Sequence, residues 1–192
     1  MKNKYLIVTW LTMSTVLSML TTTGNALEYN QLIPEKSQIT FVSKQMGVAV
    51  TGEFKKFSAD VALDPQNIAH AQAKIYVDIA SIDTGNVPAN QEALGANWFD
   101  ITHFPTAKLQ TINIKALAPS KYLATTKITI KGKTTDFAIP LTLTENAGVA
   151  TIDGSFILRR RDFSLGEGSW ADLETVANEV QVKFHLQLIA KK

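Results

Sequence analysis

The sequence predicts an all-β fold: a roughly eight-stranded antiparallel barrel with one long loop carrying a short helix. Two observations carry this. From residue 37 onward apolar and polar residues alternate with a period of two, the mark of strands with one buried and one wet face. No long helical pattern exists to cover such a sheet, so the sheet must pair with another or close on itself. Turn signals punctuate the runs: "DPQN" at 64–67, "APS" at 118–120, "KGKT" at 131–134 and "ENAG" at 145–148.

Residues 1–26 stand apart. Lys2 and Lys4 precede an uncharged apolar run from Leu6 to Leu20, and small residues follow at Gly24 and Ala26. This is the pattern of a secretory signal peptide, with cleavage expected after Ala26. The run is short for a bilayer span, which takes about 20 residues. The organisation expected is therefore a leader at 1–26 and a barrel domain at 27–192. Export makes the mature protein periplasmic or secreted.

The strands follow in order. Ile39 and Phe41 open the series, followed by Val48, Val50 and Phe54, and by Phe57, Ala59, Val61 and Leu63. Ala73, Ile75, Val77 and Ile79 alternate with Lys74, Tyr76 and Asp78. Phe137, Ile139, Leu141 and Leu143 form another one-sided strand, then Ile152, Phe156 and Leu158, then Val180, Val182, Phe184, Leu186 and Leu188. A barrel of about eight strands is either filled by side chains or holds one small ligand. The residues expected to line its lumen are Phe41, Val48, Val50, Phe54, Val61, Ile75, Val77, Phe137, Ile139, Phe156, Val182, Phe184 and Leu186. Residues 81–105 break the alternation as a long loop, with a helical candidate at about 89–98. A loop this long is a lid, an entrance or a plug. Trp98 and Phe99 on it are expected to cover one mouth and to touch a ligand.

Composition excludes several functions. Without Lys2 and Lys4 the nineteen basic residues fall to seventeen, equal to the seventeen acidic ones. A formally neutral chain is unsuited to nucleic acid or to general adhesion on anionic membranes. Contact with a membrane or a membrane protein is left as a transient one, and the oligomeric state is open, a homodimer included. No cysteine is present, which removes disulfides, thiolate zinc sites and thiol nucleophiles. His70, His103 and His185 lack metal-ligand spacing, and no nucleophile elbow, phosphate-cradling loop or dinucleotide fingerprint occurs. Asp83 and Asp100 flank the long loop, where turn-making and capping suit them better than acid–base work. The acidic stretch "GEGSWADLE" at 166–174 reads as a solvated loop. No catalytic residue, metal or cofactor is expected.

One stretch does not fit a neutral barrel: Arg159, Arg160 and Arg161 in succession. The inward parity of Ile152, Phe156 and Leu158 turns Arg160 into the barrel and leaves its two neighbours in water. A buried guanidinium needs partners. It either anchors the head group of a ligand or meets a protein carboxylate or loop carbonyls, with Asp83 as the carboxylate candidate.

Six segments in order resemble the YceI-like family of lipid- or polyisoprenoid-binding proteins: "SQITF" (37–41), "MGVAVTGEFKKF" (46–57), "SIDTGN" (81–86), "WFDITHFPTAKL" (98–109), "ITIKGKTTDFAIPL" (128–141) and "RRDFSLG" (160–166). The resemblance spans residues 30 to 190. It implies a lipocalin-like barrel, periplasmic or secreted, that holds a long amphiphile inside. Lys36, Gln45 and Ser164 stand where many members have His, His and Gly. The function expected is a binding and carrier protein for a long apolar amphiphile, such as a polyisoprenoid, an isoprenoid quinone or a fatty acyl lipid. An enzyme acting on such a lipid, and a filled barrel serving as a structural or partner-binding module, are the alternatives.

Overall fold

The computed structural model describes residues 28–190; the expected leader and its cleavage point lie outside them. Eleven strands form one antiparallel sheet: β1 (Gln31–Leu32), β2 (Gln38–Gln45), β3 (Val48–Phe54), β4 (Phe57–Ala62), β5 (Gln72–Asp78), β6 (Ile82–Asp83), β7 (Thr106–Ala118), β8 (Lys121–Ile130), β9 (Lys133–Asn146), β10 (Val149–Arg159) and β11 (Glu179–Ile189). The single α-helix among the described residues, α1, spans Val87–Leu94. The strands run in the order β4-β5-β7-β8-β9-β10-β11-β2-β3-β6, with β1 added on β11. The sheet curls into a barrel-like wall.

The short turns show why the neighbours are antiparallel. β2–β3, β8–β9 and β9–β10 are joined by two-residue turns, Met46-Gly47, Lys131-Gly132 and Ala147-Gly148, with both residues at positive φ. That is the type I′ geometry whose twist matches the flanking strands, and glycine occupies the second position without strain. β7 and β8 have no counterpart in the strands read from the sequence. Register shifts at Thr111/Asn113 and Ala116/Ala118 break the alternation of β7, and its distal half projects beyond the core, leaving Ile112 and Leu117 exposed.

One end of the barrel is packed solid. Tyr29, Leu63, Leu143, Ala150 and Leu188 are buried there, with Leu32, Val61, Ile68, Tyr122 and Ile152 around them. Tyr29 and Leu63 exchange backbone hydrogen bonds of 2.8 and 3.1 Å, while β1 pairs with β11. The N-terminal segment thus clasps β4 to β11 where neither would otherwise meet. The Tyr29 hydroxyl donates to Glu145 Oε2 at 3.0 Å, and burial, then Glu145, pushes its pKa up. A second cluster around Ile39, Ile75 and Leu186 fills the waist, and a third around Ile130, Ile139, Leu158 and Phe163 supports the opposite end.

Truncating the floor should therefore be costly. Tyr29→Ala is expected to destabilise the protein by about 3–5 kcal/mol through lost burial and cavity formation. Tyr29→Phe, which loses only a hydrogen bond to a half-wet carboxylate, is expected to cost about 1 kcal/mol or less. Urea melts of the two variants check the ordering.

Candidate functional site

Above the packed floor the curled sheet holds a partly open cavity of about 620 Å³. Strand parity builds its walls, because alternate residues of each strand face inward. Ile39 and Phe41 come from β2, Val50 and Phe54 from β3, Ile75 and Val77 from β5, and Ala107 and Leu109 from β7. Ile128 and Ile130 come from β8, Phe156 and Leu158 from β10, and Val180, Val182 and Phe184 from β11. Polar groups are confined to Ser43, Gln45 and residues of the two loops that roof the cavity, apart from Lys108, whose ammonium lies over the Tyr76 ring 5.9 Å from its centre.

The first roof loop runs between β5 and β7. Asn86 caps α1, its Oδ1 accepting from the Ala89 N–H at 3.0 Å, and Pro88 suits the first turn. The helix starts two residues before the 89–98 candidate and ends about one turn sooner, because Gly95 stops it. Trp98 and Phe99 follow and both face the cavity; Phe99 meets Phe54 edge to face at 6.2 Å.

The second roof loop, residues 160–177, is organised by Arg160. This side chain is 1% exposed. Nε donates to Ala177 O at 3.2 Å, and Nη1 to Leu165 O at 2.8 Å and Gly166 O at 3.0 Å. Nη2 donates to Trp170 O at 2.9 Å and Val176 O at 2.8 Å, with Asp172 O at 3.4 Å. All five donors of the guanidinium are therefore in use. Its face lies over the Trp98 ring at 5.5 Å. Gly166 sits at φ +73°, and a Cβ there would run into Nη1. Burial pulls the guanidinium pKa down and Arg161 adds to this, while Asp172 opposes it.

Asp83 is not the partner of Arg160. Its carboxylate pairs with Lys55 and accepts from the Gly85 N–H at 2.8 Å. Lys55, then Gly85 and Asn90, hold its pKa down to about 2. Of the protein partners expected for Arg160, the loop carbonyls hold it and the carboxylate does not, since the chain winds round Arg160 and brings them within reach. Arg159 and Arg161 are exposed, although Arg161 Nη1 reaches Ala171 O at 3.1 Å.

The expected lumen residues divide. Phe41, Val50, Phe54, Ile75, Val77, Phe156, Val182 and Phe184 line the cavity, as do Trp98, Phe99 and Arg160. Val48 does not; it is 67% exposed, because the β2–β3 hairpin extends past the rim. Val61 belongs to the packed floor, and Leu186 to the waist. Ile139 is buried in the cluster under the second loop, and Phe137 is wedged between Phe156 and Phe163, with ring centres 5.2 and 6.3 Å away. Inward parity holds for these four, but the lumen is open over only part of the barrel.

The sequence reading missed the ties between the two loops. The Gly166 and Glu167 N–H groups donate to Asn97 O at 2.8 Å each, and Trp170 Nε1 donates to Glu92 at 2.6 Å. Lys131 Nζ donates to Ala96 O, Ser164 O and Glu167 at 2.8, 3.0 and 3.2 Å. The 166–174 stretch, expected to be a solvated loop, thus contributes Trp170 to the roof; a tryptophan amid acidic residues was the available signal. Trp98 Nε1 is buried and meets no acceptor in the protein. No group of three or more His, Asp or Glu among the described residues is arranged to hold a metal ion.

The family model for the YceI-like domain matches residues 31–188. The chain belongs to the YceI-like family. A UPF0312 protein of Pseudomonas aeruginosa is 24% identical over 175 residues, covering 86% of this chain and 89% of the relative. A UPF0312 protein of Photorhabdus laumondii is 27% identical, but the match spans only 62% of it. Among solved structures, Burkholderia cenocepacia BcnA is 40% identical with a TM-score of 0.79, covering 82% of this chain and 99% of that one. A polyisoprenoid binding domain from Saccharophagus degradans shares the fold at 17% identity, with a TM-score of 0.67, over 87% of this chain and all of that one. The antiparallel lipocalin-like barrel is that of this YceI-like family.

Two sets of variants test the site. Arg160→Gln strands several loop carbonyls and is expected to destabilise the protein by about 3–5 kcal/mol. Arg160→Lys should recover little, because an ammonium has three donors and no planar fork. Adding Asp83→Asn should be additive with Arg160→Gln, the two sites sharing no contact; denaturant melts of delipidated protein read all three. The Asp83 carboxyl lies below its ordinary 3.8, so its stabilising contribution is full above about pH 4 and fades as pH falls toward 2. In Lys55→Met, an NMR titration should find that carboxyl moved back up toward 3.8.

Proposed function

We propose that this YceI-like protein is a periplasmic binding and carrier protein for a long apolar amphiphile, a polyisoprenoid, isoprenoid quinone or fatty acyl lipid, held inside the barrel. The apolar cavity carries the proposal. At about 620 Å³ it falls within the roughly 300–1,000 Å³ of small-molecule sites, and its walls are aliphatic and aromatic from seven strands and the roof. Apolar walls of this kind favour a chain-like hydrocarbon through burial, at about 25 cal/mol per Å² removed from water. The polyisoprenoid binding domain of Saccharophagus degradans, with the same fold, supports the ligand class. The signal-like leader supports an exported, periplasmic protein.

A carrier reading suits the side chains better than an enzymatic one. Among the lining residues the one carboxylate, Glu92, accepts the Trp170 N–H, and no histidine faces the cavity. A general base within reach of a bound lipid is what an enzyme would need.

Native mass spectrometry of protein purified from cell envelopes should show a retained lipid mass. Val182→Trp, which fills the lumen from β11, should abolish that mass and lower the melting temperature by only a few degrees. An empty barrel in the unaltered protein, at any lipid supply, overturns the carrier reading.

A further inference from the structure

Two glycines face the interior from strands, where glycine costs conformational entropy and contributes no packing. Gly52 of β3 stands opposite Phe41, and Gly154 of β10 opposite Phe184. Neither has a positive φ, so the backbone at both would accept alanine. What excludes a side chain is the space. A Cβ on Gly52 would run into the Phe41 ring and the Asp83 carbonyl oxygen, and one on Gly154 into Cζ, Cε1 and Cε2 of Phe184. At Gly154 the three nearest atoms all belong to the ring. The distal edge of Phe184 thus occupies the place of the missing side chain.

Phe184 stands at the bottom of the cavity. Gly154, Phe184 and Ile39 lie side by side across β10, β11 and β2. Phe184 and Ile39 line the cavity, whereas the next inward residues below, Ile152 and Leu186, belong to the packed waist. Phe184 packs against both the waist cluster and the one above it. Above this row β2 presents Phe41, then Ser43 and Gln45, so the wall passes from apolar to polar toward the rim. An amphiphile in this gradient places its hydrocarbon end downward, against the ring.

We propose that the Gly154–Phe184 pair is the depth gauge of the cavity. The ring, let down over the glycine, is the stop on which the end of the hydrocarbon chain seats, and it fixes the longest chain that is fully buried. This rests on the carrier reading and narrows it to amphiphiles selected by chain length. A methylene above the stop gains burial; one added beyond it stays at the open mouth and gains none. A methyl group on residue 154 would push the ring off the wall into the lumen and raise the stop, and a shorter side chain at 184 would lower it.

The test uses delipidated mature protein and straight-chain primary alcohols that differ only in length, delivered from cyclodextrin and followed by the fluorescence of Trp98 and Trp170 at the cavity. In the unaltered protein affinity should rise roughly fourfold with each added methylene and then level off at one chain length. Phe184→Leu should move that break to longer chains, and Gly154→Ala to shorter ones. Combining the two should bring the break back toward its original place. A pair that merely packs would weaken all lengths alike and leave the break where it was. If Gly154→Ala does not fold, Phe184→Leu carries the test alone. No break in the unaltered protein, or a break that stays in place in Phe184→Leu, overturns the proposal while leaving the carrier reading intact. Failure of every alcohol to bind the unaltered protein removes the carrier reading and this inference together.

Discussion

The buried guanidinium of Arg160 is the constraint on which the upper half of the molecule depends. A charge taken out of water must find strong dipoles, and here it finds them only if the chain after β10 turns back on itself. Carbonyls from Leu165 to Ala177 converge on one planar group, so a stretch with little regular structure acquires one conformation. The same ring of contacts brings Trp170 to Glu92 and the Gly166 N–H to Asn97, fastening this stretch to the residues around α1. The guanidinium therefore shapes the cavity through the walls it organises rather than by reaching into it.

The barrel divides its interior between packing and space. Large side chains meet across the floor and waist, where Leu188 and Ala150 are fully buried, and supply the burial that holds the sheet closed. Further up, the walls diverge and the same inward parity leaves a cavity. A domain of this size affords such a void only because its stability is drawn from elsewhere in the chain.

Much of this was legible in the sequence, and the limits have physical causes. Period two identifies Val182, Phe184 and Phe156 as inward residues, since a one-residue slip would expose them all. It says nothing of depth along the barrel, so Ile139 and Phe156 read alike although one is core and the other cavity wall. Val48 has the right parity but lies beyond the rim, a position set by hairpin length. β7 escaped notice because its bulges interrupt the period. The inward turn of Arg160 was predictable from Leu158, two residues before it. That loop carbonyls could meet it was foreseen, but which ones was not, because backbone carbonyls leave no mark in a sequence. A carboxylate such as Asp83 is visible there, and sequence reading is biased toward the partners it can see.

The pairing of β1 with β11 sets Gln31 opposite Ile189. Both ends of the folded domain therefore emerge side by side at the floor, at the far pole from the roof. A fusion partner, an affinity handle or a surface tether attached at either end leaves the cavity unobstructed, and a short linker between the two ends would circularise the domain without crossing its opening. Immobilised in this way, the molecule would present the open end of its cavity outward, toward solution.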